Sequence, residues 1–147
     1  MKPASSFFVV VLCACANLSA GEQPRVQLNS DAFRFAIELI ENGHFVDDKK
    51  GSWREHRRSP NDENEFIRTR GMGTYANWHL GMDPRHGEDS KARYKFPFGD
   101  FQNVHRCALL AIRSRAREYG YVEIANAAAE LQRILESKAR RISGRGD

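Results

Sequence analysis

The sequence predicts an all-α protein, a small four- to five-helix domain built on a C-terminal antiparallel helical hairpin. Three observations predict it. Apolar residues recur at three- and four-residue steps in two long runs near the C-terminus, the spacing of a helix with one buried face. Gly120 divides the two runs at a point where a left-handed residue can stop one helix and turn into the next. Strand-like alternation is almost absent outside Tyr94 to Phe98, where Pro97 argues against a central strand.

From the N-terminus, Lys2 and the apolar stretch Phe7 to Leu12 read as a signal peptide over residues 1–20, with Ala14-Cys15-Ala16 or Leu18-Ser19-Ala20 as cleavage site. This places the protein outside the cytoplasm, secreted or periplasmic. Leu12-Cys13-Ala14-Cys15 also has the form of a lipobox, which gives a lipid-anchored lipoprotein, modified at Cys15, as the alternative. The apolar stretch is far shorter than the roughly 20 residues of a membrane-spanning helix, and nothing later approaches that length. Residues 21–147 then make one helical domain with flexible ends and a core over about 30–138, a size at which a single core suffices.

Within that domain, Asn29 or Ser30 caps a first helix that turns Phe33, Ala36, Ile37 and Ile40 inward. Residues 44–58 are charged, broken by Gly51, and read as a loop pinned by Trp53. Ser59-Pro60-Asn61-Asp62 is a helix start, with a capping serine, a proline in the first turn and acidic residues at the positive end of the dipole. Thr74 caps a short helix carrying Tyr75, Trp78 and Leu80, and Gly81 to Arg93 reads as an exposed loop. Asp100 is expected to cap a helix beginning near Phe101, whose inner face carries Phe101, Val104, Ala108, Ile112, Arg115 and Tyr119. The last helix turns Ile124, Ala128, Leu131 and Leu135 inward, and its alanines permit close approach of the two.

The net charge is +4, from 23 basic and 19 acidic residues. Glutamates interleave the basic clusters and dilute the charge that phosphate binding needs, so nucleic acid and other polyanions are disfavoured partners. Beyond the leader, Cys107 is the one remaining cysteine of the free secreted form, which excludes a disulfide-stapled fold. It reads as a small buried hydrophobe in mid-helix.

Trp78-His79-Leu80-Gly81, then Arg93-Tyr94-Lys95-Phe96-Pro97-Phe98-Gly99-Asp100-Phe101, then Val104-His105-Arg106 resemble a family of small uncharacterised, mainly bacterial proteins. That family has a Trp-x-Leu-Gly element before an Arg-Tyr-x-Phe-Pro-x-Gly-Asp-Phe segment and a Val-His-Arg helix. The resemblance spans about Ser59 to Leu135. It implies a shared helical fold and no particular reaction or ligand.

No serine nucleophile elbow, glycine-rich phosphate loop or paired-cysteine metal signature is present. No two of the five histidines stand at the helical spacing of a zinc site, so the sequence assigns no metal ligands and no cofactor. The best catalytic candidates are His79, Asp83, Asp100 and His105, since a histidine near a carboxylate can move protons or hold a metal. Against this, Asp100 is already accounted for as a cap. The expected function is a non-catalytic extracytoplasmic module that binds a protein or small ligand through Arg85, Arg93, Arg106 and Arg113. The alternative is a small metal-dependent or acid-base enzyme using His79, Asp83, Asp100 and His105. The terminal Arg145-Gly146-Asp147 matches an integrin-ligand tripeptide, and chance is the preferred account of three residues in an arginine- and glycine-rich chain.

Overall fold

The computed structural model describes residues 25–145. The leader, Cys15 and the last two residues lie outside it. Of the described residues 58% are helical and 12% are strand, in two small sheets, so the fold is mixed α/β and the all-α expectation is corrected. The elements run β1 (Gln27–Leu28), α1 (Ser30–Glu41), β2 (Phe45–Val46), α2 (Trp53–His56), α3 (Pro60–Arg70), α4 (Met72–Ala76), β3 (His79–Met82), β4 (Tyr94–Pro97), β5 (Val104–His105), α5 (Arg106–Glu118) and α6 (Val122–Ser143).

The helical hairpin is present. Helices α5 and α6 meet at Gly120, which adopts φ 74°, and they bury Leu109, Ile112 and Ala116 against Ile124, Ala128, Leu131 and Leu135. Arg115 and Tyr119, expected on the inner face, are exposed, and the guanidinium lies 5.3 Å from the tyrosine ring centroid. Helix α1 packs on α6 through Ala32, Ala36 and Ile40, with the Asn29 side chain accepting from the amide of Ala32. The Ser59 side chain and the Asp62 carboxylate form a reciprocal capping box at the start of α3.

A three-stranded antiparallel sheet of order β1-β3-β4 covers the helices, with Leu28 opposite Gly81 and Gly81 opposite Lys95. The segment expected to continue a short helix through Leu80 and open a loop at Gly81 is therefore its central strand. Gly81 has a packing reason. A Cβ there would lie 2.8 Å from both Phe96 and Val26 and 3.3 Å from Ile124, so the sheet seats on α6 only because no side chain intervenes. Pro97 closes β4, an edge strand, where its missing amide costs no central ladder bond.

The second sheet pairs β2 with β5 in parallel, Phe45 opposite Val104 and Val46 opposite His105. This corrects the helix start expected at Phe101. Residues 98–103 form a tight turn, and α5 begins only at Arg106. Asp100 caps this turn instead of a helix: its Oδ1 accepts the amides of Gln102 at 3.0 Å and Asn103 at 2.7 Å. Phe101 takes φ 69°, strained for a residue with a side chain, and its ring stacks on Phe66 with centroids 4.0 Å apart. Among the described residues no helix is long and apolar enough to cross a membrane.

Candidate metal centre

The β2–β5 pairing determines what meets at the start of α5. Because the two strands run parallel, the residues that follow them emerge side by side, Asp47-Asp48 from β2 and Arg106-Cys107 from β5. His105 offers no capping side chain of its own, and Asp48 supplies the cap from the neighbouring strand: its Oδ1 accepts the amide of Cys107 at 2.7 Å. The other oxygen, Oδ2, accepts from Nδ1 of His105 at 2.7 Å and from the Cys107 thiol at 3.0 Å. The short helix α2 brings His56, whose Nε2 lies 3.6 Å from the same oxygen.

One ligand atom from each of Asp48, His56, His105 and Cys107 can thus be chosen so that all four lie within 4.8 Å of one another. His56 and His105 stack with centroids 4.8 Å apart, and Trp53 covers His105 at 5.9 Å. His105 is 4% exposed and Cys107 1%, while the His56 side chain is 37% exposed, so the cluster opens toward solvent on the His56 side. Burial raises the Asp48 carboxyl, but hydrogen bonds from Cys107 and His105 outweigh it and the net shift is downward, keeping the group ionised. Burial and the adjoining carboxylate push the Cys107 thiol up to about 11, so it stands as a hydrogen-bond donor rather than a nucleophile.

The sequence-predicted residues divide. Asp100 and His105 do meet, with Asp100 Oδ2 3.3 Å from His105 Nε2. His79 has other partners: its Nδ1 bonds the carbonyl of Tyr75 at 2.9 Å, and the Tyr75 ring lies 4.3 Å from its own. Asp83 is buried and held by Arg85, with Nε at 2.9 Å from Oδ1 and Nη2 at 2.5 Å from Oδ2, which holds its carboxyl well below the usual range. The four arginines expected to form a partner surface are engaged within the chain, Arg85 with Asp83, Arg93 with the His86 carbonyl, Arg106 with Glu136 and Arg113 with Gln132.

Three of the four clustered residues, Asp48, His56 and Cys107, are absent from the sequence-based candidates. Asp48 stands 57 residues before His105, in a stretch without helical spacing, and only strand pairing joins them. His105-Arg106-Cys107 is the one local signal, two ligand types two residues apart. Placing both inside a helix hides it, since such a spacing points side chains to different faces. No protein-family profile, curated protein or solved structure matches this chain.

Proposed function

We propose that the chain is a non-catalytic binding module whose ligand is a first-row transition ion of the zinc class, held by Asp48, His56, His105 and Cys107. The observation that carries this reading is the convergence of the four ligand atoms within 4.8 Å. Zinc bonds of about 2.0–2.3 Å place tetrahedral ligands about 3.3–3.8 Å from one another. The separations of 2.7, 3.0 and 3.6 Å from Asp48 Oδ2 reach that spacing with movements below about 1 Å. One sulfur, two imidazoles and one carboxylate suit zinc or cobalt, whereas calcium and magnesium require shells of oxygen.

Bound there, the ion would fasten the 47–58 segment to the start of α5, adding a covalent-strength tie to a stretch already held by the Asp48 cap on Cys107, by Arg106 at Asp47 and Asp48, by the Trp53 contact and by a hydrogen bond from Arg58 to Asp100. The apolar leader supports action outside the cytoplasm, by secretion or through a lipid on Cys15. The approach of Asp100 to His105 favours a second reading, a metal-dependent or acid-base enzyme. Four protein ligands already complete a tetrahedral shell, however, and catalytic zinc keeps one position for water or substrate. The non-catalytic reading is therefore preferred.

Equilibrium dialysis of the full-length chain against zinc, with magnesium as comparison, tests it. One tightly held zinc per chain, lost in Cys107→Ala and in His105→Ala, is the expected result. Failure to retain zinc, or equal retention by both variants, rejects the reading.

A further inference from the structure

His105 is deeply enclosed, and its two ring nitrogens meet different carboxylates. Nδ1 bonds Asp48 at 2.7 Å, whereas Nε2 is buried without a hydrogen bond, 3.3 Å from Asp100 Oδ2. A neutral imidazole carries one proton. While Nδ1 keeps it for Asp48, a bare lone pair on Nε2 faces an ionised oxygen, an arrangement that burial makes costly. A cation on Nδ1 reverses the conflict, because the proton then resides on Nε2 and Asp100 becomes its acceptor.

We propose that Asp100 is the positioning residue of the metal centre: it accepts the Nε2 proton of His105 and so fixes the tautomer in which Nδ1 is the ligand for a zinc-class ion. This rests on the metal-binding reading above. Asp100 is built for the role. The amides of Gln102 and Asn103 hold Oδ1 and leave Oδ2 directed at His105. Arg58, at the end of the ligand-bearing segment, donates from Nε to the Asp100 carbonyl at 2.8 Å and brings Nη2 within 3.9 Å of Oδ2. A carboxylate behind a ligating imidazole orients the ring and raises its basicity toward the metal.

Asp100→Asn separates this role from the turn. The amide side chain keeps an oxygen for the two backbone amides and presents an N–H toward Nε2, which favours the proton on Nδ1 and opposes metal binding there. Zinc affinity of the full-length chain, measured by chelator competition, is expected to fall about 10–100-fold while the metal-free protein still unfolds in one cooperative transition. Long-range proton–nitrogen NMR of the zinc-loaded wild type is expected to show His105 protonated at Nε2 and metal-bound at Nδ1. Zinc on Nε2, or an Asp100→Asn affinity within about twofold of wild type, overturns the role of Asp100 and leaves the metal site standing; the limit lies well below the loss an outer partner causes. If Asp100→Asn does not fold, the wild-type tautomer decides alone. A wild type that takes up no zinc overturns the metal-binding reading and this proposal with it.

Discussion

His79 and His105 are both almost fully buried, both end or begin a short strand, and both come from the most motif-like part of the chain, yet their surroundings prepare them for opposite roles. Around His79 stand the rings of Tyr75 and Tyr94 and a single carbonyl partner, with Glu63 and Lys91 as the nearby charges. Burial drives its pKa down to about 4, and it serves as a neutral core residue that fixes the turn from α4 into β3. Around His105 stand two carboxylates, a thiol and a second imidazole. Burial therefore does not identify a site. The set of donor atoms that shares the enclosure does.

Removing each ring in turn should separate the two histidines. His105→Ala should abolish retention of zinc at micromolar concentration, whereas His79→Gln should leave zinc affinity unchanged, both read by chelator competition. Equal losses from the two variants would mean that metal binding reports general destabilisation.

Acid should expose His79. Its folded pKa lies below its unfolded value, so the unfolded chain takes up a proton first, and stability present above the unfolded pKa of about 6.5 is lost as pH falls toward about 4. Urea unfolding should show a loss approaching about 3 kcal/mol across that window, smaller in His79→Gln after the carboxylates' own contribution is subtracted. Asp48 and Asp100, both with depressed pKa values, add losses that set in at lower pH.

Zinc at a hundred times its dissociation constant should raise unfolding free energy by about 2.7 kcal/mol in the wild type and not at all in Cys107→Ala. On the sheet side, Gly81→Ala should cost about 2 kcal/mol by forcing Phe96, Val26 and Ile124 apart, with zinc affinity unchanged.

The parts of the fold legible in the sequence are those made by local chemistry. Asn29, Ser59 with Asp62, and Gly120 mark helix ends through their own side chains or backbone, and the apolar spacing of α6 shows its buried face directly. The strands are two to four residues long, too short for alternation to register. The central one, His79-Leu80-Gly81-Met82, is buried along nearly its whole length, so no exposed polar face alternates with a buried one. Val104 and Ala108 stand four residues apart and so mimic a helix face, although Val104 belongs to β5. The candidate site suffers most, because Asp48 reaches Cys107 and His105 only through a parallel pair that no local pattern announces. Cys107 is buried as its apolar neighbours suggest, but against a carboxylate.

X-ray absorption at the zinc edge of the loaded, full-length protein reads the proposed four-ligand centre and its one sulfur. A four-coordinate shell with one sulfur at about 2.3 Å and three nitrogen or oxygen atoms at about 2.0–2.2 Å is expected, the sulfur vanishing in Cys107→Ala. A shell of light atoms alone, unchanged by that substitution, would contradict it.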